Sequence, residues 1–184
     1  MSKRFIPVFM ALALALLPPV QAGAAGAKND VAGTWGLVYT PRPKPKVSAF
    51  GQPVQGRFQL PQLPKTDTLN FTPDPAFPGT GQFATQLFSG VWKQSGAKIK
   101  GTPTQTVIES MLAGYLQQGS LYGVSFSGGT LVSAKNQMTA VVQKNGRLTG
   151  TFLHVSTWTI AVTQPQAMTV PLRIKLLAHF KGKR

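Results

Sequence analysis

The last segment of the chain, residues 168–181, alternates between apolar and polar side chains with a period of two. Such alternation is typical of a β-strand with one face in a core and the other in solvent. The feature constrains the fold because strands need partner strands to be stable. The apolar positions are Leu172, Ile174, Leu176, Ala178 and Phe180; the polar positions are Arg173, Lys175, His179 and Lys181, with Leu177 the exception.

Shorter segments with the same character precede it, separated mainly by turn residues. They span residues 33–40, 68–72, 81–87, 90–94, 97–101, 120–127, 130–133, 138–143 and 148–160, with a weaker edge strand at 56–60. The sequence therefore predicts an all-β, mainly antiparallel domain over residues 32–184. Closure removes exposed strand edges, so we expect a closed or nearly closed barrel of eight to ten strands, with a two-sheet sandwich as the alternative.

The first and last strands have the clearest patterns, so we expect them to pair and close the barrel. That pairing would place Trp35 against basic residues at the chain end, such as Lys181 or Arg184.

One segment has helical spacing instead. Thr102-Pro103-Thr104-Gln105 combines a capping residue, a proline at the first helical position and a glutamine three residues after the cap. Apolar residues then recur at intervals of three and four up to Leu116, and Gly119 can end the helix. This pattern predicts one amphipathic helix over residues 103–118, covering a sheet or a barrel mouth.

The N-terminus has the pattern of a secretory signal peptide over residues 1–22. Lys3 and Arg4 precede an apolar run, and Ala22 fits a cleavage site, with Ala25 as the alternative. An uncleaved anchor is the alternative, although the run is short for a membrane span. We expect an exported protein, periplasmic or extracellular, with a flexible N-terminus over residues 23–31. The chain has no cysteine, so disulfides do not stabilise it.

The chain is strongly basic, with a formal net charge of +15. A basic surface attracts polyanions and anionic lipid, although solubility alone is an equally simple explanation. The candidate polyanion-binding residues are Arg42, Lys44, Lys46, Arg173 and Lys175. We do not expect nucleic acid as the partner, nor an integral membrane protein.

The segment Gly33-Thr34-Trp35 in the first strand resembles the opening motif of the lipocalin and wider calycin group, and Gly90-Val91-Trp92 repeats the Gly-x-Trp pattern. The order of segments is similar to that of secreted bacterial lipocalin-like proteins of unassigned role. The resemblance implies a small barrel with an apolar interior, often used to bind small hydrophobic molecules.

Catalytic chemistry has few candidates in this sequence. There is no thiol, the two histidines (His154 and His179) are far apart, and the four carboxylates do not occur at a useful spacing. The sequence therefore predicts no catalytic residues, no metal site, no cofactor and no enzyme activity.

The aromatic residues are the remaining candidates for a site, since they occur on most strands. Filling the core is the simplest role for them, and lining a cavity is the functional alternative. The predicted ligand-binding residues are Trp35, Phe71, Trp92, Phe126, Trp158 and Phe180. We expect an exported, non-catalytic protein that binds a small hydrophobic or lipid-like ligand; the alternative is a basic envelope-associated protein that binds polyanions or anionic lipid surfaces.

Overall fold

The structure is a computed structural model that describes residues 30–40, 45–54, 63–121, 124–164 and 166–184. Within these ranges the elements are, in chain order, β1 Gly33–Tyr39, β2 Lys46–Ala49, β3 Gln52–Pro53, β4 Thr66–Pro73, β5 Thr80–Ala84, β6 Phe88–Ser95, β7 Lys98–Thr106, α1 Val107–Gln117, β8 Gln118–Leu121, β9 Val124–Val142, β10 Leu148–Gln164 and β11 Met168–Lys183. The predicted leader, residues 23–29, the edge strand at 56–60, Arg42 and Lys44 lie outside the described residues.

Strands make up 69% of the structure, and the described residues include a single helix. β1, β4, β5, β6, β7, β9, β10 and β11 pair in that order, and β11 then pairs with β1 to close a ring of eight. The predicted mainly antiparallel fold with one helix is confirmed. Because the eight strands are not spaced evenly round one axis, we describe a closed ring rather than a barrel.

The ring closes where we expected, between the first and last strands. Leu37 lies opposite Gly182 in the antiparallel register of β1 and β11. The Arg184 guanidinium lies 4.7 Å from the centre of the Trp35 ring, a cation–π contact, and donates a hydrogen bond to the Ala32 carbonyl at 3.0 Å. Trp35 Nε1 donates to the carbonyl of buried Val31 at 2.8 Å. The ordered fold thus includes Val31, which the sequence assigned to the flexible N-terminus.

The strand register separates two ends of the ring. At the terminal end, Lys183 of β11 pairs with β1, and the β9–β10 turn lies beside Gly182. At the other end, β2 pairs with residues 172–175 of β11 and turns into β3 at Phe50 and Gly51. We call this the hairpin end. β1 and β2 therefore share one edge of β11.

The helix begins later than the sequence predicted. Thr102 and Pro103 are in β7 and pair with β6, so the predicted start at residue 103 is wrong, and α1 begins at Val107. Pro103 is tolerated in this strand because β9 pairs only with residues 98–101 of β7. The missing amide proton of Pro103 therefore leaves no hydrogen bond to β9 unmade. The capping signature recurs four residues later: Thr106 Oγ1 accepts a hydrogen bond from the Ile108 amide at 3.1 Å.

β9 is one strand of 19 residues, where the sequence suggested separate strands around Ala134-Lys135-Asn136. These three residues pair in register with β10, and the irregularities occur nearer the start of β9, between residues 125 and 133. The polar pair Lys135-Asn136 is of a kind that occurs in turns, so the sequence suggested a turn there. In the structure Lys135 is exposed, whereas Asn136 hydrogen bonds to buried His154.

Within the residues that the structure describes, no helix has the length and hydrophobicity needed to span a bilayer.

Candidate functional site

The six aromatic side chains predicted to line a cavity are all buried, each at most 5% exposed. Phe71 and Trp92 meet edge to face with 5.7 Å between ring centroids. Phe180 meets Tyr39 in the same way at 6.4 Å. The structure therefore brings some of these rings into contact with other aromatic rings in the core.

A dense aromatic cluster occupies one part of the interior. Phe88 stacks on Phe152 with 3.8 Å between centroids and 5° between planes, and Phe83 lies 6.0 Å from Phe88 and 6.3 Å from Phe71. We refer to Phe71, Phe83, Phe88, Trp92 and Phe152 as the aromatic cluster. Side chains rather than open volume occupy this part of the ring.

A small apolar pocket lies beneath α1. It offers about 20 Å³, which is room for about one water molecule. None of the six predicted ligand-binding residues lines it. The lining consists of Pro45, Leu63, Ile108, Met111, Leu112, His154, Ile174 and Leu176.

Two larger depressions lie on β4, β5 and β6, with volumes of about 590 and 330 Å³. Both include Thr72, Gln82 and Val91, and the larger one also includes Trp92 and Asp74. Thr72, Gln82 and Val91 are solvent-exposed, so these are surface depressions, although buried Trp92 borders the larger one and buried Phe83 the smaller one.

A chain of hydrogen bonds runs from the first turn of α1 into the core. Asn136 Nδ2 donates to Glu109 Oε1 at 3.0 Å, and Asn136 Oδ1 lies 2.7 Å from His154 Nδ1. His154 Nε2 lies 3.0 Å from Ser156 Oγ, which also accepts a hydrogen bond from Trp158 Nε1 at 2.9 Å. We call these five residues the polar chain.

The polar chain fixes the protonation pattern of His154. A carboxylate only accepts, so Asn136 directs its NH₂ group toward Glu109 and its oxygen toward the imidazole. Nδ1 therefore carries the proton, and Nε2 accepts from the Ser156 hydroxyl. Burial lowers the pKa of His154, while the Glu109 carboxylate acts in the opposite direction.

A serine bonded to a neutral histidine resembles an activated nucleophile. Ser156, however, is only 1% exposed, and the pocket beside His154 has room for about one water molecule. In this arrangement the hydrogen bonds connect α1 to β9 and β10. The absence of enzyme activity stays a prediction.

A second buried polar contact joins β1 to β4. Tyr39 donates its hydroxyl proton to Asp67 Oδ2 at 3.2 Å, and Asp67 Oδ1 accepts from the amides of Thr68 at 2.7 Å and Gln86 at 3.0 Å. Burial, with the Asp67 carboxylate beside it, raises the pKa of Tyr39 above its ordinary range. Through these hydrogen bonds, Asp67 of β4 is connected to Tyr39 of β1 and to the Gln86 amide. Within the described residues, no group of three or more potential ligands could hold a metal ion.

Five neighbouring strands carry lysine and arginine but no acidic residue on their outer surface. β7, β9, β10, β11 and β2 are neighbours in the sheet, and their sequences contain no carboxylate. Their eight lysine and arginine residues are all exposed. We call these eight residues the basic face: Lys46, Lys98, Lys100, Lys135, Arg173, Lys175, Lys181 and Lys183.

Three of the predicted polyanion-binding residues come together on this face. Lys46 lies opposite Lys175, and Arg173 lies two residues along β11. Val155 of β10 pairs with both Lys175 and Lys135, so Lys135 belongs to the same row. Sequence reasoning missed Lys135 because its neighbours suggested a turn; a continuous strand through residues 133–137 would have revealed it.

No protein-family model, no curated protein and no solved structure matches this chain. The resemblance to lipocalin-like proteins therefore stays a prediction, and the proposals below depend on the geometry of the chain itself.

Proposed function

We propose that this protein binds an anionic component of the cell envelope through its basic face. One observation carries the proposal: eight exposed cationic side chains lie on five adjoining strands that contain no carboxylate. Positive potential accumulates on such a surface and attracts anionic polymers and lipid headgroups. The proposal involves binding without catalysis.

The arrangement of the lysines supports a bound anion. Lys46 lies directly opposite Lys175, and Lys93 of β6 lies directly opposite Lys100. Like charges at directly opposed positions destabilise a sheet. An anionic ligand would relieve this repulsion, so the free protein carries a cost that binding removes.

The export signal predicted at residues 1–22 agrees with this proposal. An exported protein meets envelope components that carry phosphate and carboxylate groups. The protein's own acidic residues are few and scattered, so they would not compete with such a ligand for the basic face. Of the four carboxylates, Asp67 is buried, and Glu109 hydrogen bonds to Asn136.

The test compares two triple variants with the same change in charge. Lys46→Gln, Arg173→Gln and Lys175→Gln remove three charges from the basic face. Lys65→Gln, Lys144→Gln and Arg147→Gln remove three exposed charges that lie outside the five strands and away from the row of Lys46, Lys175 and Lys135. Binding of the protein, purified from exporting cells, to heparin and to anionic vesicles is measured over a range of salt concentrations.

We expect the basic-face variant to bind more weakly and with a shallower dependence on salt, because fewer counterions are released. The matched variant should bind nearly as well as the original protein. Equal losses in both variants would mean that net charge alone drives binding, and the proposal would then be wrong.

A second candidate is a small apolar ligand beneath α1. The observation that favours it is the mainly apolar lining of the pocket, to which the helix contributes Ile108, Met111 and Leu112. Since about 20 Å³ does not hold such a ligand, α1 must move to admit one. Native mass spectrometry of the purified protein, followed by organic extraction, tests this. A protein that is empty and takes up no hydrophobic probe would exclude it.

A further inference from the structure

The turn between β2 and β3 has an unusual residue in a strained conformation. Phe50 has a φ of 50°, the only positive φ outside glycine in the described residues, and Gly51 follows with 78°. Ala49 pairs with Gln52, so these two residues form a two-residue hairpin loop. Positive φ at both loop positions is the geometry that favours Asn-Gly, whereas a bulky residue in the first position is an outlier.

Packing among the described residues does not explain this phenylalanine. The Phe50 side chain is 61% exposed, and the amide of Phe50 donates a long hydrogen bond of 3.4 Å to the Pro171 carbonyl. A large apolar group is therefore held in solvent by an unfavourable backbone conformation. Strain of this kind is concentrated at functional sites.

Basic and apolar side chains are adjacent at this end of the ring. Arg173 pairs with Ser48, two residues before Phe50, which is about 7 Å along a strand. Lys46, Lys175 and Lys135 form the next row of the basic face. Other apolar residues at this end of β9 and β11 are also exposed: Leu131 by 37%, Val132 by 62% and Met168 by 50%.

We infer that the hairpin end docks on an anionic lipid bilayer, with Phe50 entering the interface and Lys46, Arg173 and Lys175 contacting headgroups. The inference rests on the proposed function and names its partner. A soluble polyanion has no apolar layer to receive Phe50, whereas a bilayer offers negative charge at its surface and apolar chains beneath it. Aromatic side chains are favoured in that interfacial layer.

The chain contains a matched control. Phe77 is also in a turn and is 66% exposed, but it lies in the β4–β5 connection. The register places that connection at the terminal end, because Phe71 pairs with Gly33 and Gly36 pairs with Lys183. Phe77 therefore has similar exposure and lies away from the hairpin end.

The experiment compares Phe50→Asn with Phe77→Asn. Asn-Gly is the favoured pair for the β2–β3 loop, so the first substitution should fold well and raise the melting temperature. Each variant is tested for binding to phosphatidylglycerol-containing vesicles and to heparin. A Phe50→Trp variant tests insertion directly, through quenching of its fluorescence by brominated lipids.

We expect Phe50→Asn to weaken vesicle binding by about tenfold or more, the loss that accompanies removal of one buried phenylalanine. Heparin binding should not change, and Phe77→Asn should bind both ligands normally. Brominated lipid should quench Phe50→Trp more strongly than it quenches the original protein, whose tryptophans Trp35, Trp92 and Trp158 are buried.

Three outcomes would overturn the inference and leave the proposed function standing. Normal vesicle binding by Phe50→Asn would show that Phe50 does not insert into the bilayer. An equal loss of heparin and vesicle binding would mean that Phe50 stabilises the fold or contacts a partner other than lipid. Heparin binding without vesicle binding by the original protein would leave the proposed function intact and exclude lipid. If the original protein binds neither, the proposed function itself fails.

Discussion

The interior contains two regions of different chemistry. The aromatic cluster consists of rings in mutual contact, such as Phe88 stacked on Phe152. The region beneath α1 instead contains the polar chain and a small pocket beside His154. In the first region, stability depends on how well the shapes and sizes of the side chains fit together. In the second region, it depends on hydrogen bonds between particular donors and acceptors.

The difference indicates which part of the molecule can change its conformation. Removing a ring from the aromatic cluster leaves a void that its rigid neighbours cannot fill. The helix, in contrast, is attached to the ring by directional bonds at Glu109 and by apolar contacts of Ile108, Leu112 and Leu116. We therefore expect that α1 can be displaced without opening the eight-stranded ring. Of the four predictions below, given from the largest expected effect to the smallest, the first three test this contrast and the fourth tests the closure of the ring.

The largest effect should come from Phe152→Ala in the aromatic cluster. Losing a fully buried ring should lower the free energy of unfolding by about 3–5 kcal/mol. Chemical denaturation measures the change. Phe77→Ala is the control, because the loss of an exposed ring should cost no more than about 0.5 kcal/mol. A loss for Phe152→Ala as small as that of the control would show that the cluster is loosely packed.

The next effect should come from Gly129→Ala, which acts on the helix. A Cβ at Gly129 would lie 2.6 Å from the Leu116 Cβ, so α1 must shift, at a cost of about 1–3 kcal/mol. Gly114→Ala, in the same helix and with open space around it, should stabilise the protein by about 1 kcal/mol. Hydrogen exchange should speed up in α1 and not in the ring; faster exchange throughout would remove the proposed distinction between the two regions.

The polar chain should make stability depend on pH. The pKa of His154 is lowered in the folded state, so below about pH 6.5 the unfolded chain binds a proton that the folded chain does not. Stability should therefore fall as the pH falls through this range, by up to about 1.4 kcal/mol per unit. His154→Gln should remove this slope, and His179→Gln, at an exposed position, should keep it. An unchanged slope in His154→Gln would contradict the assignment.

The smallest effect should come from Arg184→Gln at the terminal end. The Arg184 contact with Trp35 lies at the surface, where cation–π contacts contribute about 0.5–1 kcal/mol. Lys183→Gln, at the neighbouring exposed position, should change the melting temperature less. A loss from Arg184→Gln as large as that from Phe152→Ala would mean that ring closure depends on one surface contact.

Much of the fold could be predicted because strand periodicity is a local property. The alternation over residues 168–181 reports which side chains face the core, and β11 follows it from Val170 to Gly182. The pairing of β1 with β11 and the contact of Trp35 with Arg184 followed from the same patterns. The candidate basic residues on β2 and β11 were also visible in the sequence, although Lys135 was not.

Other features were decided only by the tertiary structure, because they depend on partners distant in sequence. Two capping signatures follow each other directly, at residues 102–105 and 106–109, and pairing with β6 decides that the second begins the helix. Glu109, Asn136 and His154 come together only through the packing of α1 on β9 and β10. The sequence by itself determined the strand pattern and the excess of positive charge. The closed ring decided which charges share a face, that the pocket beneath α1 offers about 20 Å³, and that Phe50 lies beside the basic rows.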